Sequence, residues 1–335
     1  VKYDMVLANR DDAEHAARAL HEMGFDGAYT QEGNRDVFFP LLLAARAAPL
    51  DLYTNVAIAF PRSPMHLAYT AFDLQRASQG RFALGLGSQI RPHIEKRYSA
   101  RWDHPVKQMR EYVQALHAIF DCFHEGKKLD FRGEYHTFTL MTPTFVPEPL
   151  PWGPPPIWMA ALGPVMTRTA AEVADGVLIH PFNSERFLRE VTAPAVEEGL
   201  RRSGRSRDGF TLGVDVILCL YGDDEEKTVA EQGCRFNAAF YASTPSYRVT
   251  LDVHGWGDRQ PRLNEMTKAG RWNEIGSVVD DELLDTVCVR GTPAEAAAVV
   301  RSRYADLADR VSFSVPYAVR PDTLAAFVAE LHREP

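Results

Sequence analysis

The stretch Gly80-Arg81-Phe82-Ala83-Leu84-Gly85-Leu86-Gly87-Ser88 reads as a helix stop, a short buried strand and a strand end stripped of side chains. Gly80 tolerates the left-handed conformation that closes a helix, so the chain can turn at once into the strand. Residues 82–87 are too few for a helix and nearly all apolar or small, which suits a strand covered on both faces. The same junction recurs at Gly24-Phe25-Asp26-Gly27-Ala28-Tyr29 and at Ala174-Asp175-Gly176-Val177-Leu178. Working outward, strands of similar character are predicted at 3–8, 27–30, 52–59, 157–161, 176–180, 210–220 and 311–315. Amphipathic helices fall between them. Ala13, Ala16, Ala17 and Leu20 form one stripe, and Val106, Met109, Val113, Leu116 and Phe120 another. Thr292-Pro293-Ala294-Glu295 supplies an N-cap, a first-turn proline and a capping-box glutamate. Eight strands with interleaved helices predict an α/β fold of the (β/α)8 TIM-barrel type. A doubly wound sheet uses the same units and stays open on periodicity alone.

Composition narrows the function. The 335 residues are 45% hydrophobic and 24% charged, an ordinary globular balance. With no Ser/Gly-rich linker, one domain over 1–335 is expected. Two stretches exceed a minimal barrel: 143–156, with seven prolines, and 244–281, polar with Trp256 and Trp272. Both follow strands and are expected as insertions at the C-terminal face, where barrels keep their sites. A net charge of −8 argues against general nucleic-acid binding, yet permits a local pocket for a phosphorylated ligand. No apolar run approaches the roughly 20 residues that span a membrane. Cys122, Cys219, Cys234 and Cys288 lack CxxC spacing and read as buried, reduced thiols of a cytoplasmic protein. The chain starts at Val1, which leaves a removed leader open.

Several residues could carry chemistry. Gly85 and Gly87 clear a strand end so that a flat or phosphorylated ligand can approach the backbone; tight packing is the alternative. Between Ile157 and Met166 a strand runs into Gly163-Pro164, which opens a helix whose free N–H groups would suit an anion. Ordinary packing of a strand-to-helix turn accounts for that pattern equally well. His66, His93, His104 and His180 are isolated, with no HxH or HExxH, so no metal site is expected. His93 and His180 fall at or after strand ends, and Glu32 is the best-placed carboxylate. Arg91, Lys96 and Arg97 would meet an acidic ligand or form a solvated face. These residues lead to a barrel that binds a phosphorylated ligand, and they do not name its reaction.

The segment Phe60-Pro61-Arg62-Ser63-Pro64-Met65-His66-Leu67-Ala68, continuing through Ser78-Gln79-Gly80-Arg81-Phe82 to Leu84-Gly85-Leu86-Gly87, resembles the bacterial luciferase-like monooxygenase superfamily. Pro105 to Tyr112, Gly163-Pro164, Ala174-Asp175-Gly176 and Gly291-Thr292-Pro293 extend the resemblance along nearly the whole chain. Phe-Pro-Arg-Ser-Pro resembles the branch that uses the deazaflavin coenzyme F420.

The resemblance implies a TIM barrel that binds F420 or FMN at its C-terminal strand ends. The ring would lie on strand three at Thr54, Asn55, Val56 and Ala57, over a bulge whose non-prolyl cis peptide would be Thr54-Asn55. Gly87, Ser88 and His93 match the ribityl and phosphate path. Ala160, Ala161, Leu162, Gly163 and Pro164 match the phosphate turn, and His180 borders it. Related sugar-phosphate dehydrogenases carry Asp-His where this chain has Glu32-Gly33, so their histidine chemistry does not transfer. Glu32 and His180 remain the candidate catalytic groups. The expected activity is F420-dependent hydride transfer to or from a small organic substrate in a homodimeric enzyme. The alternatives are an FMN-dependent monooxygenase and a non-catalytic carrier of the same cofactors.

Overall fold

Eight parallel strands close on themselves in the computed structural model, which describes residues 1–8 and 11–333. They are β1 Lys2–Val6, β2 Gly27–Thr30, β3 Asp51–Thr54, β4 Phe82–Gly87, β5 Ile157–Ala161, β6 Gly176–Ile179, β7 Thr211–Leu220 and β8 Arg310–Ser314. Each pairs with the next, and β8 returns to β1 through Lys2↔Arg310 and Tyr3↔Val311. The eight strands read from the apolar runs are therefore the eight staves of a (β/α)8 barrel. One further parallel strand, Cys288–Gly291, lies beside the far end of β7, from Ile217 to Leu220. Its four residues, with an arginine among them, offered too short an apolar run to be recognised.

The helices form as their sequences dictate. Asp12 caps the helix Ala13–Met23 by accepting the His15 N–H, and Gly24 ends it at φ 97°. Gly80 has φ 87°, again the left-handed stop. The third junction works differently: Ala174 stays at φ −103°, and the Asp175 carboxylate accepts the Ile157 N–H instead. The helix Pro105–Glu125 buries Met109, Val113, Leu116 and Phe120, as its spacing predicts. The Thr292–Glu295 capping box is present.

The barrel interior is layered. At its N-terminal end Arg310 grips Asp4 through two hydrogen bonds of 2.5 and 2.7 Å and reaches Asp51 at 2.7 Å. Above them, Tyr29 stacks on Tyr53 at 5.4 Å and Tyr53 meets Trp158 edge-on at 5.2 Å. These rings fill the middle, so open space begins only near the C-terminal ends.

The two long connections part company. Tyr69 Oη donates to Phe145 O, Arg76 reaches Glu148 O, and Trp152 lies against Gly80. Residues 143–156 thus run down the outside of the helix Pro64–Ala77 rather than over the C-terminal face, contrary to expectation. Residues 244–281 do reach that face, where Thr250 Oγ1 donates to Phe182 O just beyond β6.

Candidate active site

The strand that shapes the site is β3. Between the pairs Tyr53↔Ala83 and Ala57↔Leu86 the chain advances four residues on β3 and three on β4. The extra residue is a bulge at Thr54–Val56, after which Ala57–Ile58 resumes pairing. The cis peptide lies within it at Asn55–Val56, one bond later than Thr54-Asn55. Thr54 is still in register with Thr30 of β2, so the backbone turns irregular only beyond it.

This bulge explains the glycines of β4. A Cβ on Gly85 would stand 1.8 Å from the Thr54 carbonyl oxygen, and one on Gly87 would stand 2.6 Å from Val56 Cγ2. Their missing side chains make room for the neighbouring strand. The space expected for a ligand at Gly85 is filled by protein, and Gly87 alone of the two faces the cavity.

That cavity, about 490 Å³, sits over the C-terminal strand ends, within the range of cofactor sites. Its wall gathers Glu32, Asn55, Val56, Gly87, Ser88, Ala160, Ala161, Leu162, Gly163 and His180 from the expected set. Four expected residues stand outside the lining. His93 is exposed and opens the turn His93–Arg97. Thr54 is buried, donating to Gly85 O at 2.6 Å. Ala57 packs in the core, and Pro164 occupies the first turn of its helix.

The wall holds groups of different chemistry. The helix Pro164–Val173 begins with no side-chain cap on Gly163, where an added Cβ would meet nothing within 4 Å. First-turn N–H groups there lack helical acceptors and favour an anion. The donor set fits a phosphate-bearing cofactor without needing a basic side chain.

His180 and Asp215 also stand in the wall. His180 Nδ1 accepts the Phe182 N–H at 3.1 Å, which leaves the ring's proton on Nε2. Tyr247 and Tyr241 flank the ring at 4.2 and 4.7 Å, and burial pushes its pKa down to about 3. His180 is therefore a neutral hydrogen-bond donor at physiological pH.

Glu32 is fastened. Arg62 donates to both its oxygens at 2.7 and 3.1 Å, and the Ile58 N–H donates to Oε2 at 3.0 Å. This bridge ties the end of β2 to the strand beyond the bulge. Trp102 also lines the cavity, edge-on to Phe60 at 5.6 Å.

Sequence reasoning missed Asp215, Tyr241, Tyr247 and Ser314, all in the lining. Asp215 did carry a signal: it is a lone carboxylate inside the apolar run 211–220, and such groups are seldom buried without a reason. No group of three or more His, Cys, Asp or Glu side chains among the described residues could hold a metal ion. No helix among them is long and apolar enough to cross a membrane.

Residues 5–310 match the family model of the luciferase-like monooxygenases. The chain belongs to that family. A relative in Mycobacterium tuberculosis, an uncharacterized protein, is 48% identical over 300 residues, 89% of this chain and 88% of the relative. The 5,10-methylenetetrahydromethanopterin reductase of Archaeoglobus fulgidus is 30% identical over 292 residues, 84% of this chain and 82% of its own. Among solved structures, the coenzyme F420-dependent tetrahydromethanopterin reductase of Methanopyrus kandleri superposes with a TM-score of 0.81 at 20% identity, covering 99% of this chain and 98% of that one. The oxygenating constituent of 3,6-diketocamphane monooxygenase from Pseudomonas putida, in complex with FMN, gives 0.68 at 15% identity, covering 98% and 95%. At these identities the two structures establish the shared barrel.

Proposed function

We propose that this member of the luciferase-like family is an F420-dependent oxidoreductase that moves a hydride between the deazaflavin and a small organic substrate. The observation that carries the reading is the cavity itself. Its wall combines an uncapped helix start at Gly163, suited to a phosphate, with the polar groups His180 and Asp215. The 30% identity to a methylenetetrahydromethanopterin reductase, together with the shared fold of a coenzyme F420-dependent tetrahydromethanopterin reductase, supports the choice of F420. When bound, the deazaflavin supplies or receives the hydride. The chain's own part is to hold and orient. The helix start at Gly163 takes the phosphate, Val56 and Gly87 offer a flat wall to the ring, and Nε2–H of His180 directs a polar atom of the substrate. Tyr241 and Tyr247 close one side against water.

A cytoplasmic homodimer belongs to the same reading. The exposed Phe39, Leu42 and Leu43 on the helix Phe39–Ala47 support an interface, and four unpaired, buried cysteines suit a reducing compartment.

The FMN-dependent monooxygenase reading draws on the FMN-bound neighbour of the same fold. Anaerobic fluorescence titration of the cofactor-free protein with F420 and with FMN separates the two. F420 is expected to bind at least about tenfold more tightly. The reverse order moves the assignment to FMN and oxygen chemistry, and binding of neither removes the cofactor reading.

A further inference from the structure

Two carboxyl groups line the cavity among the described residues, Glu32 and Asp215. Both oxygens of Glu32 already accept hydrogen bonds, from Arg62 and the Ile58 N–H, and its charge is paired with the guanidinium. Asp215 faces the cavity, and no cation among the described residues pairs with it. Its Oδ2 accepts from Asn55 Nδ2 at 3.3 Å and its Oδ1 from the Val216 N–H at 3.0 Å.

The position of Asp215 is set from several sides. Asn55 belongs to the β3 bulge. Asn183, buried beyond β6, donates through Nδ2 to the backbone carbonyls of both Asp215 and His180, each at 2.8 Å. One amide side chain thus locks together the acidic strand and the histidine.

We propose that Asp215 is a catalytic residue, whose carboxyl group exchanges a proton with the substrate atom that changes charge during hydride transfer. The inference rests on the hydride-transfer reading above. In the reducing direction, reduced deazaflavin is the two-electron donor. A hydride forms a C–H bond at a carbonyl carbon, the C=O π pair moves to oxygen, and the Asp215 O–H bond breaks as its proton joins that oxygen. The products are the alcohol, oxidised cofactor and the Asp215 carboxylate, which regains its proton from solvent. Oxidation of the alcohol reverses every step. The substrate class that needs such a group is a neutral ketone or aldehyde and its alcohol, since a cationic iminium carbon takes a hydride without a proton.

The surroundings favour a proton held near neutrality. Among the described residues, the titratable groups facing Asp215 are Tyr29 from β2, Tyr53 from β3, Tyr241 from the helix Asp224–Ala242 and His180 after β6, all uncharged at pH 7. Burial pushes the Asp215 carboxyl up to about 7, against hydrogen bonds from Val216, Ser312, Tyr29 and Asn55 that favour its anion. A carboxyl whose pKa lies near neutrality is suited both to give and to take a proton there.

Asp215→Asn keeps the shape: its amide oxygen can still accept from Val216, and its Nδ2 can donate to Asn55 once that amide turns to present its oxygen, so the variant separates proton transfer from support of the bulge. The test compares wild type and this variant in three ways. These are F420 affinity, single-turnover hydride transfer to a panel of ketones and aldehydes from pH 5 to 9, and infrared difference spectra of the carboxyl region over the same range.

The expected result is F420 affinity unchanged within about threefold and hydride transfer slowed about 100-fold or more. The variant loses the rate dependence near pH 7, and wild type alone shows a protonated carboxyl titrating there. Transfer in the variant within about fivefold of wild type, with the same pH profile, overturns the proposal. So does a carboxyl already ionised at pH 5. If wild type binds no F420, the hydride-transfer reading falls and takes this step with it. A wild type that binds and turns over, matched by its variant, overturns the role of Asp215 alone.

Discussion

Asp4 and Asp215 are two buried carboxylates inside one barrel, 0% and 8% exposed, and what separates them is a guanidinium. Asp4, at the N-terminal end of the interior, is held by Arg310 at 2.5 and 2.7 Å and by the Tyr53 hydroxyl at 3.0 Å. Asp215, at the C-terminal end, accepts from an amide and a backbone N–H, with Tyr29 and Ser312 beside it. Burial raises the pKa of the paired acid too, but there the Arg310 guanidinium opposes the rise with an opposite charge. The unpaired one meets the cost of burial by holding its proton to higher pH. Depth alone therefore does not tell a structural carboxylate from a reactive one. The partner does, and here the partners divide a floor that braces the barrel from an end that faces the cavity.

Breaking the paired site carries the largest expected effect. Asp4→Asn leaves Arg310 with Asp51 as its remaining acid and should cost about 3–5 kcal/mol at neutral pH, read by urea denaturation. A loss below 1 kcal/mol would show that Asp51 and solvent carry the guanidinium unaided.

Asp215→Asn should move stability in the other direction. A carboxyl whose pKa is raised in the folded state contributes stability that is complete below the ordinary carboxylate value and is lost as pH rises through about 7. Asparagine does not titrate. The variant should therefore gain on wild type between pH 4 and 7 and stay ahead above that, by up to about 4 kcal/mol. Denaturation curves at pH 4, 6 and 8 check the sign. An advantage that grew toward acid would mean the native carboxylate is stabilised as an anion.

The smallest effect sharpens the same contrast. Tyr53→Phe removes one neutral donor from Asp4 and should cost about 1 kcal/mol, with no pH dependence between 5 and 8. Equilibrium unfolding at both ends of that range would reveal a larger or titrating loss, which would show the hydroxyl to be part of the charge balance at Asp4.

Much of the barrel was legible before any coordinates, because strands buried on both faces must be short and apolar throughout. The run 82–87 could hardly be read otherwise. The capping box at Thr292 and the stripe from Met109 to Phe120 are likewise local matters of spacing. Cys288–Gly291 escaped because its pairing with β7 comes from the far side of an insertion and leaves little local pattern.

The site was legible in outline and less so in detail. Strand ends at Asn55, Gly87, Ala160 and His180 converge as a barrel requires. His93 does not join them, because one exposed turn carries it away from the cavity. Glu32 lines the wall, and its engagement by Arg62, thirty positions away in sequence, is a matter of three dimensions.

What the sequence by itself determined is the set of elements. Periodicity, glycine stops and caps act over a few residues, and those residues are adjacent in the chain. What only the tertiary structure decided is which group faces which across the barrel. It turned the glycines of β4 into room for the β3 bulge, and it put Arg310 from the last strand on Asp4 of the first. It left Asp215 among neutral partners at the cavity. Those outcomes depend on distances between residues up to 306 positions apart, and the charge state of a buried group follows from such distances.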